Sequence, residues 1–82
     1  MSSKQVKEII EILEDLGNDG TVPRNVKDKI KNTIEALKQE TDLKISVNKA
    51  LYNLDEIADD PNLQSYTRSQ IWNIVSLLEK IS

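Results

Sequence analysis

Apolar residues recur at i, i+3, i+4 and i+7 along nearly the whole chain. Val6, Ile9, Ile10, Leu13 and Leu16 form the first stripe. That spacing predicts a helix with one buried face. Glu8, Glu11, Glu14 and Asp15 occupy the other side, and Ile12 flanks the apolar centre. A second stripe runs through Val26, Ile30, Thr33, Ile34 and Leu37. A third runs through Leu43, Val47, Ala50, Leu51, Leu54, Ile57 and Ala58. The fourth comprises Thr67, Ile71, Ile74, Val75 and Leu78, broadened by Leu77 and Ile81. The pattern predicts an all-α fold with no strand and four helices near residues 3–16, 23–39, 43–58 and 63–81.

Polar punctuation separates the stripes. Ser2 or Ser3 can cap the first helix. Gly17 suits the position after its end, where a left-handed conformation costs glycine little. Asn18, Asp19, Gly20 and Thr21 make a turn cluster. Pro23 suits the first position of the second helix, where a missing N–H costs nothing. Thr41 or Asp42 can cap the third helix. Asp60 precedes Pro61 and is pushed out of helical geometry, which ends that helix. Asn62 is then placed to cap the fourth.

The two halves repeat. Residues 54–79 align with residues 13–38 at an offset of 41 (54 − 13). Leu13 falls on Leu54, Leu16 on Ile57, Asp19 on Asp60, Val22 on Leu63, Ile30 on Ile71 and Leu37 on Leu78. The expected organisation is one domain over 1–82, with repeat one about 4–40 and repeat two about 43–82. The four helices then form two antiparallel helical hairpins in tandem. A period near 40 with two helices per unit is the range of HEAT-like repeats.

Composition narrows the chemistry. The 82 residues contain no Cys, no His and no Phe. The first absence excludes disulfides and thiolate chemistry. The second removes the commonest metal ligand and general base. Net charge is −3 and the pI about 4.8, opposite to the usual nucleic-acid footprint. No apolar run reaches the ~18 residues of a membrane span. A signal-peptide apolar region is missing near the N-terminus. The expectation is a soluble cytoplasmic protein without membrane attachment, cofactor or small-molecule substrate.

Few positions suggest chemistry of their own. Asp59, Asp60 and Asn62 are oxygen donors of the kind hard cations take. The EF-hand spacing is missing, however, and turn chemistry explains all three. No metal is expected there. Asp59, Asp60 and Glu56 could do acid–base work, but no second motif supports them, so no enzyme is expected. Arg24, Lys27, Lys31 and Lys38 form a basic stripe on the second helix, broken by Asp28 and Glu35. It could meet an acidic partner or a phosphate backbone, with Trp72 or Tyr66 as a stacking surface. A solvated helix face with i, i+4 pairs accounts for it as well, and the acidic pI argues against nucleic acid. Ile45 and Tyr52 fall on the solvent side of the third helix.

The run over 54–79 also resembles a known family. Leu54, Asp55, Glu56, Ile57, the Asp60-Pro61-Asn62 turn, Arg68, Ile71-Trp72-Asn73-Ile74 and Leu78-Glu79 carry the likeness, with Val22-Pro23-Arg24-Asn25. They resemble a small archaeal family catalogued as uncharacterised, number 147 in that series. Gln64 departs from its pattern, which has a proline there. The resemblance implies a small all-helical archaeal cytoplasmic protein and no known activity.

The function expected is therefore a non-catalytic helical protein–protein interaction module that self-associates. A homodimer, or another protein partner, would use Tyr66, Arg68, Trp72, Leu77 and Ile81. A stacked repeat needs a polar outer face on its last unit. Trp72, Leu77 and Ile81 instead add bulk where the first repeat has Lys31, Ala36 and Glu40. The alternative is a nucleic-acid accessory protein using the basic stripe.

Overall fold

The four apolar stripes become four helices in a computed structural model that describes residues 3–39 and 42–81. They are α1 (Ser3–Gly17), α2 (Arg24–Gln39), α3 (Leu43–Ala58) and α4 (Ser65–Ile81). No strand occurs among the described residues. Ser2 and Thr41, candidate caps, lie outside the described residues, as does Glu40.

The predicted faces are the buried ones. Leu13, Val26, Ile30, Val47, Leu54, Ile57, Ile71, Ile74 and Leu78 are fully or almost fully buried. Val6, Ile12, Ile34, Leu43, Leu51 and Val75 pack at the margins. Thr33, Ser46 and Thr67 bring three hydroxyls into this interior, and the first two bond to carbonyls of their own helices. Thr33 donates to Lys29 O at 2.8 Å, and Ser46, which the apolar pattern misses, donates to Leu43 O at 3.0 Å. Neither of these two is left unbonded inside.

The helix ends follow local chemistry, with three departures from expectation. Asp42 caps α3 by accepting from Lys44 N–H at 2.9 Å and Ile45 N–H at 3.3 Å. Pro23 sits one position earlier than expected. Its carbonyl accepts the first helical bond from Lys27 N–H at 3.0 Å, which makes it the cap residue of α2. α4 begins at Ser65, because Gln64 O receives Arg68 N–H at 2.9 Å in the same way. Asn62 is thus a turn residue and does not cap α4. Leu63, buried beneath the turn, anchors it ahead of the helix. Gly17 adopts no positive φ. It is the last residue of α1, and a Cβ there would meet Ile30 Cγ2 at 3.5 Å. That is ordinary van der Waals distance, so the position has room for a small side chain, and no left-handed turn is made.

Chain neighbours pack together: α1 on α2, α2 on α3, and α3 on α4. α1 also packs on α4, whereas neither diagonal pair, α1–α3 or α2–α4, is in contact among the described residues. The helices therefore close a ring around one core. The radius of gyration is 11.7 Å, the value expected for a compact domain of this length.

Candidate docking surface

The α1–α2 and α3–α4 turns share one construction. In the first, Asp19 Oδ1 accepts from Thr21 N–H at 2.9 Å and from the Thr21 hydroxyl at 2.7 Å. In the second, Asp60 Oδ1 accepts from Asn62 N–H at 2.8 Å. Val22 N–H bonds Asp19 O at 3.1 Å, and Leu63 N–H bonds Asp60 O at 3.2 Å. These are Asx turns, in which a short carboxylate satisfies a nearby backbone donor. The Thr21 N–H, then its hydroxyl, hold Asp19 below the ordinary value of 3.8. The Asn62 N–H, then the Asn25 amide, hold Asp60 below 3.8, with smaller help from Lys29 and Arg68. In both cases the donors favour the charged form.

The second turn carries two further ties. Asn25 Nδ2, at the start of α2, donates to Asp60 Oδ2 at 2.8 Å. Arg68 donates from Nε to Ala58 O and from an Nη to Asp60 O, both at 2.9 Å. The guanidinium thus caps Ala58 O, at the end of α3, and adds a second donor to Asp60 O, which also accepts Leu63 N–H. Sequence reasoning placed Asp60 correctly in its turn but missed both ties.

The five expected interface residues do not gather on one face. Ile81 is only 9% exposed, and Leu77 is half-buried. Both line a small cleft with Ile9 and Ile12 of α1. Much of the apolar bulk that α4 carries there is covered by α1, because the ring closes. Arg68 is half-buried and committed to the turn. Tyr66 is exposed, its hydroxyl accepting from Gln70 Nε2 at 2.9 Å. Trp72 is 45% exposed and is the residue around which a surface forms.

That surface lies between α3 and α4. Leu51, Tyr52, Asp55, Trp72, Val75 and Glu79 line an open groove of about 340 Å³. Tyr52 is 66% exposed. Leu51 and Val75, which line the same groove, are half-buried. The pairing of Tyr52 with Trp72 was missed in the sequence, where Tyr52 was grouped with Ile45. The readable signal is that both lie about two helical turns from the 59–64 loop joining their helices.

Part of the basic stripe lies near carboxylates. Lys38 Nζ lies 3.7 Å from Glu14 Oε2. Lys27 and Lys31 share a wide groove of about 620 Å³ with Glu14, Asp15 and Asp28. Asp59, Asp60 and Asn62 form no cluster of three acidic ligands, and no such group occurs among the described residues. None of the described helices is long and apolar enough to cross a membrane.

Comparison with known proteins gives a consistent result. The model of a family described as Uncharacterised protein family (UPF0147) matches residues 1–81. A UPF0147 protein of Archaeoglobus fulgidus is 37% identical, the match covering 100% of this chain and 94% of the relative. One of Metallosphaera sedula is 42% identical over 94% of this chain and 88% of its own length. The crystal structure of a protein of unknown function, MMP1188, superposes with a TM-score of 0.94 at 40% identity, covering 100% of this chain and 94% of that one. A crystal structure of a UPF0147 protein from Thermoplasma acidophilum gives 0.90 at 34% identity, covering 96% and 94%.

Proposed function

The chain belongs to the Uncharacterised protein family (UPF0147), whose description names no activity, and we propose that it is a non-catalytic helical module that docks a protein partner on its α3–α4 face. The observation that carries this reading is that Tyr52 and Trp72, both exposed, line one groove together with the half-buried Leu51 and Val75. Large aromatic rings among apolar side chains are the composition of interface centres. The cation-bearing face of α2 offers less, because its lysines sit among carboxylates. The chain's net charge of −3 also opposes a phosphate backbone.

The same proposal reads the helices as two antiparallel hairpins repeated at an offset of 41. Matched environments support it: Leu13 and Leu54 are both fully buried, and Ile30 and Ile71 nearly so. The Asp19 and Asp60 turns share the bond from the N–H two residues on to the aspartate carboxylate and the bond from the N–H three residues on to its carbonyl. The contacts of α2 with α3 and of α1 with α4 close the two hairpins on each other. The HEAT-like likeness then extends to the hairpin unit and stops short of an open stack. Self-association through α4 now rests on Trp72, since α1 covers Leu77 and Ile81.

Photocrosslinking tests the reading. A benzophenone side chain at position 52 should yield discrete protein adducts in cells of the native host, and Trp72→Ala should remove them. The same probe at Glu35, an exposed position on α2, should give none of these adducts. Adducts sensitive to nuclease, or none at all, would overturn the docking reading. An adduct of twice the chain's mass would identify a second copy as the partner.

A further inference from the structure

Asp19 is the only aspartate in the chain that precedes a glycine, and no asparagine does. Its turn brings two reactive groups together. Thr21 N–H donates to Asp19 Oδ1 at 2.9 Å, and the ring closed by that bond contains both Asp19 Cγ and Gly20 N. The carboxyl is thereby folded back onto the peptide that follows it. Gly20 is exposed, and a Cβ there would meet nothing within 4 Å. The Gly20 N–H has no acceptor among the described residues. By contrast, the N–H after Asn18 bonds Leu16 O at 3.2 Å, and the N–H after Asp59 bonds Ile57 O at 3.1 Å.

We infer that the Asp19–Gly20 step is a site of spontaneous covalent modification, where aspartate converts through a cyclic imide to isoaspartate, and that Thr21 restrains the conversion. In the first step the Gly20 nitrogen attacks Cγ of the neutral carboxyl. An N–Cγ bond forms, a C–O bond breaks, and the Gly20 proton leaves with the hydroxyl as water. Water then adds to the imide. Opening at Cγ restores aspartate. Opening at the Asp19 main-chain carbonyl carbon leaves the chain running through Cγ, with a new carboxylate on Cα. Holding the two groups in one turn favours the first step, and glycine presents no Cβ against it.

The counterpart turn lacks this chemistry. Asp60, 41 residues later, is followed by Pro61, whose nitrogen carries no hydrogen, so the same imide cannot form. Asp60 is also held on both oxygens, by Asn62 N–H and the Asn25 amide. In the first turn both donors belong to Thr21 and fall on one oxygen. They favour the charged carboxylate, and Lys27 of α2 adds to this more weakly. A charged carboxylate is the poorer electrophile, so the Thr21 hydroxyl is a restraint that one substitution can lift. Conversion would lengthen the main chain by a methylene and displace the Asp19 carbonyl that Val22 N–H bonds at 3.1 Å. The α1–α2 turn would loosen next to the buried Val22. The new carboxylate is the substrate of a carboxyl methyltransferase that uses S-adenosylmethionine.

Ageing the purified full chain at neutral pH, below its melting temperature, tests this directly. Electron-transfer fragmentation of a digest locates isoaspartate, and labelled methyl transfer by an isoaspartyl methyltransferase counts it. Isoaspartate should accumulate at residue 19 ahead of every other aspartate. Gly20→Ala, which the open space and the absence of a positive φ permit, should slow it several-fold, and Gly20→Pro should abolish it. Thr21→Val, which keeps the N–H and removes the hydroxyl, should speed it several-fold. Thr21→Ser, which keeps both donors, should match the wild type. Equal accumulation at other aspartates, or an unchanged rate in Gly20→Ala, would overturn the site. An unchanged rate in Thr21→Val, or an equal acceleration in Thr21→Ser, would overturn the restraint. No isoaspartate at residue 19 in either the wild type or Thr21→Val would overturn both.

Discussion

Asp60 receives the Asn62 N–H on one carboxylate oxygen and the Asn25 amide on the other. One side chain thereby shapes the α3–α4 turn and ties it to the start of α2. Asp19 has the turn bond but takes its second donor, the Thr21 hydroxyl, from within its own turn. Asp60→Asn should therefore lower the melting temperature more than Asp19→Asn. The pH dependence has a definite sign. The folded pKa of Asp60 lies below 3.8, so its contribution is full above that value and is lost as pH falls through the folded value. Melting curves of wild type and Asp60→Asn should differ at neutral pH and converge in strong acid. A gap that persists or widens in acid would show that the charged form is not what matters. Gly17 offers a second residue-level test. Without a positive φ, and with Ile30 Cγ2 in ordinary contact range at 3.5 Å, it occupies a position open to alanine, and its counterpart is Ala58. Gly17→Ala should stabilise the chain by about 0.5–1 kcal/mol, read from urea denaturation. A loss of stability would mean that α1 cannot tolerate even this contact with α2.

At the scale of the helix, the end of α3 depends on a residue of α4. α3 carries no basic residue in its last turn, where a cation would be favoured by the exposed carbonyls. Arg68 supplies that cation from the next helix, with two nitrogens on two carbonyls. A lysine has one nitrogen and cannot hold both in that planar arrangement. Arg68→Lys should cost about 1–3 kcal/mol, and hydrogen exchange should quicken at the α3 C-terminus and through the 59–64 loop ahead of the rest. Uniform loss of protection across all four helices would argue that Arg68 supports the core generally. The counterpart, Lys27, starts from the same register but faces Asp19 through space, and no guanidinium fork is built there. The two turns are thus alike in backbone and different in how they are braced.

The whole molecule is decided by the contact between α1 and α4. α1 packs on α4, with Ile9 and Ile12 lining one cleft with Leu77 and Ile81, and this packing turns a linear series of helices into a ring. Stability should then be shared around the ring, unlike an open repeat array, where each unit feels only its neighbours. Ile12→Ala and Leu77→Ala should couple by about 0.5–3 kcal/mol in a double-mutant cycle. Ile12→Ala and Trp72→Ala, on different faces of the ring, should add. Additivity in the first pair would show that the closing contact contributes little, and unfolding in two separate steps would show the same.

Helix number, helix extent to within about two residues, and nearly every core position were legible in the chain. Period and turn chemistry are local properties: a stripe at i, i+3 and i+4 must be buried somewhere, and Asp19 and Asp60 bond donors two residues away. The proposed 41-residue offset was read from the same local patterns, and Leu13 with Leu54 and Ile30 with Ile71 are buried alike. What covers each stripe is a property of the packed set. Leu77 and Ile81 read as surplus apolar surface on α4 and proved to be the seat of α1. Tyr52 and Trp72 read as separate exposed residues and proved to share a groove. Arg68 read as a neighbour of Trp72 and proved to close the end of α3. In each case the deciding partner lies on another helix, and periodicity along one helix carries no information about its neighbour. The order of helices around the core supplied that information.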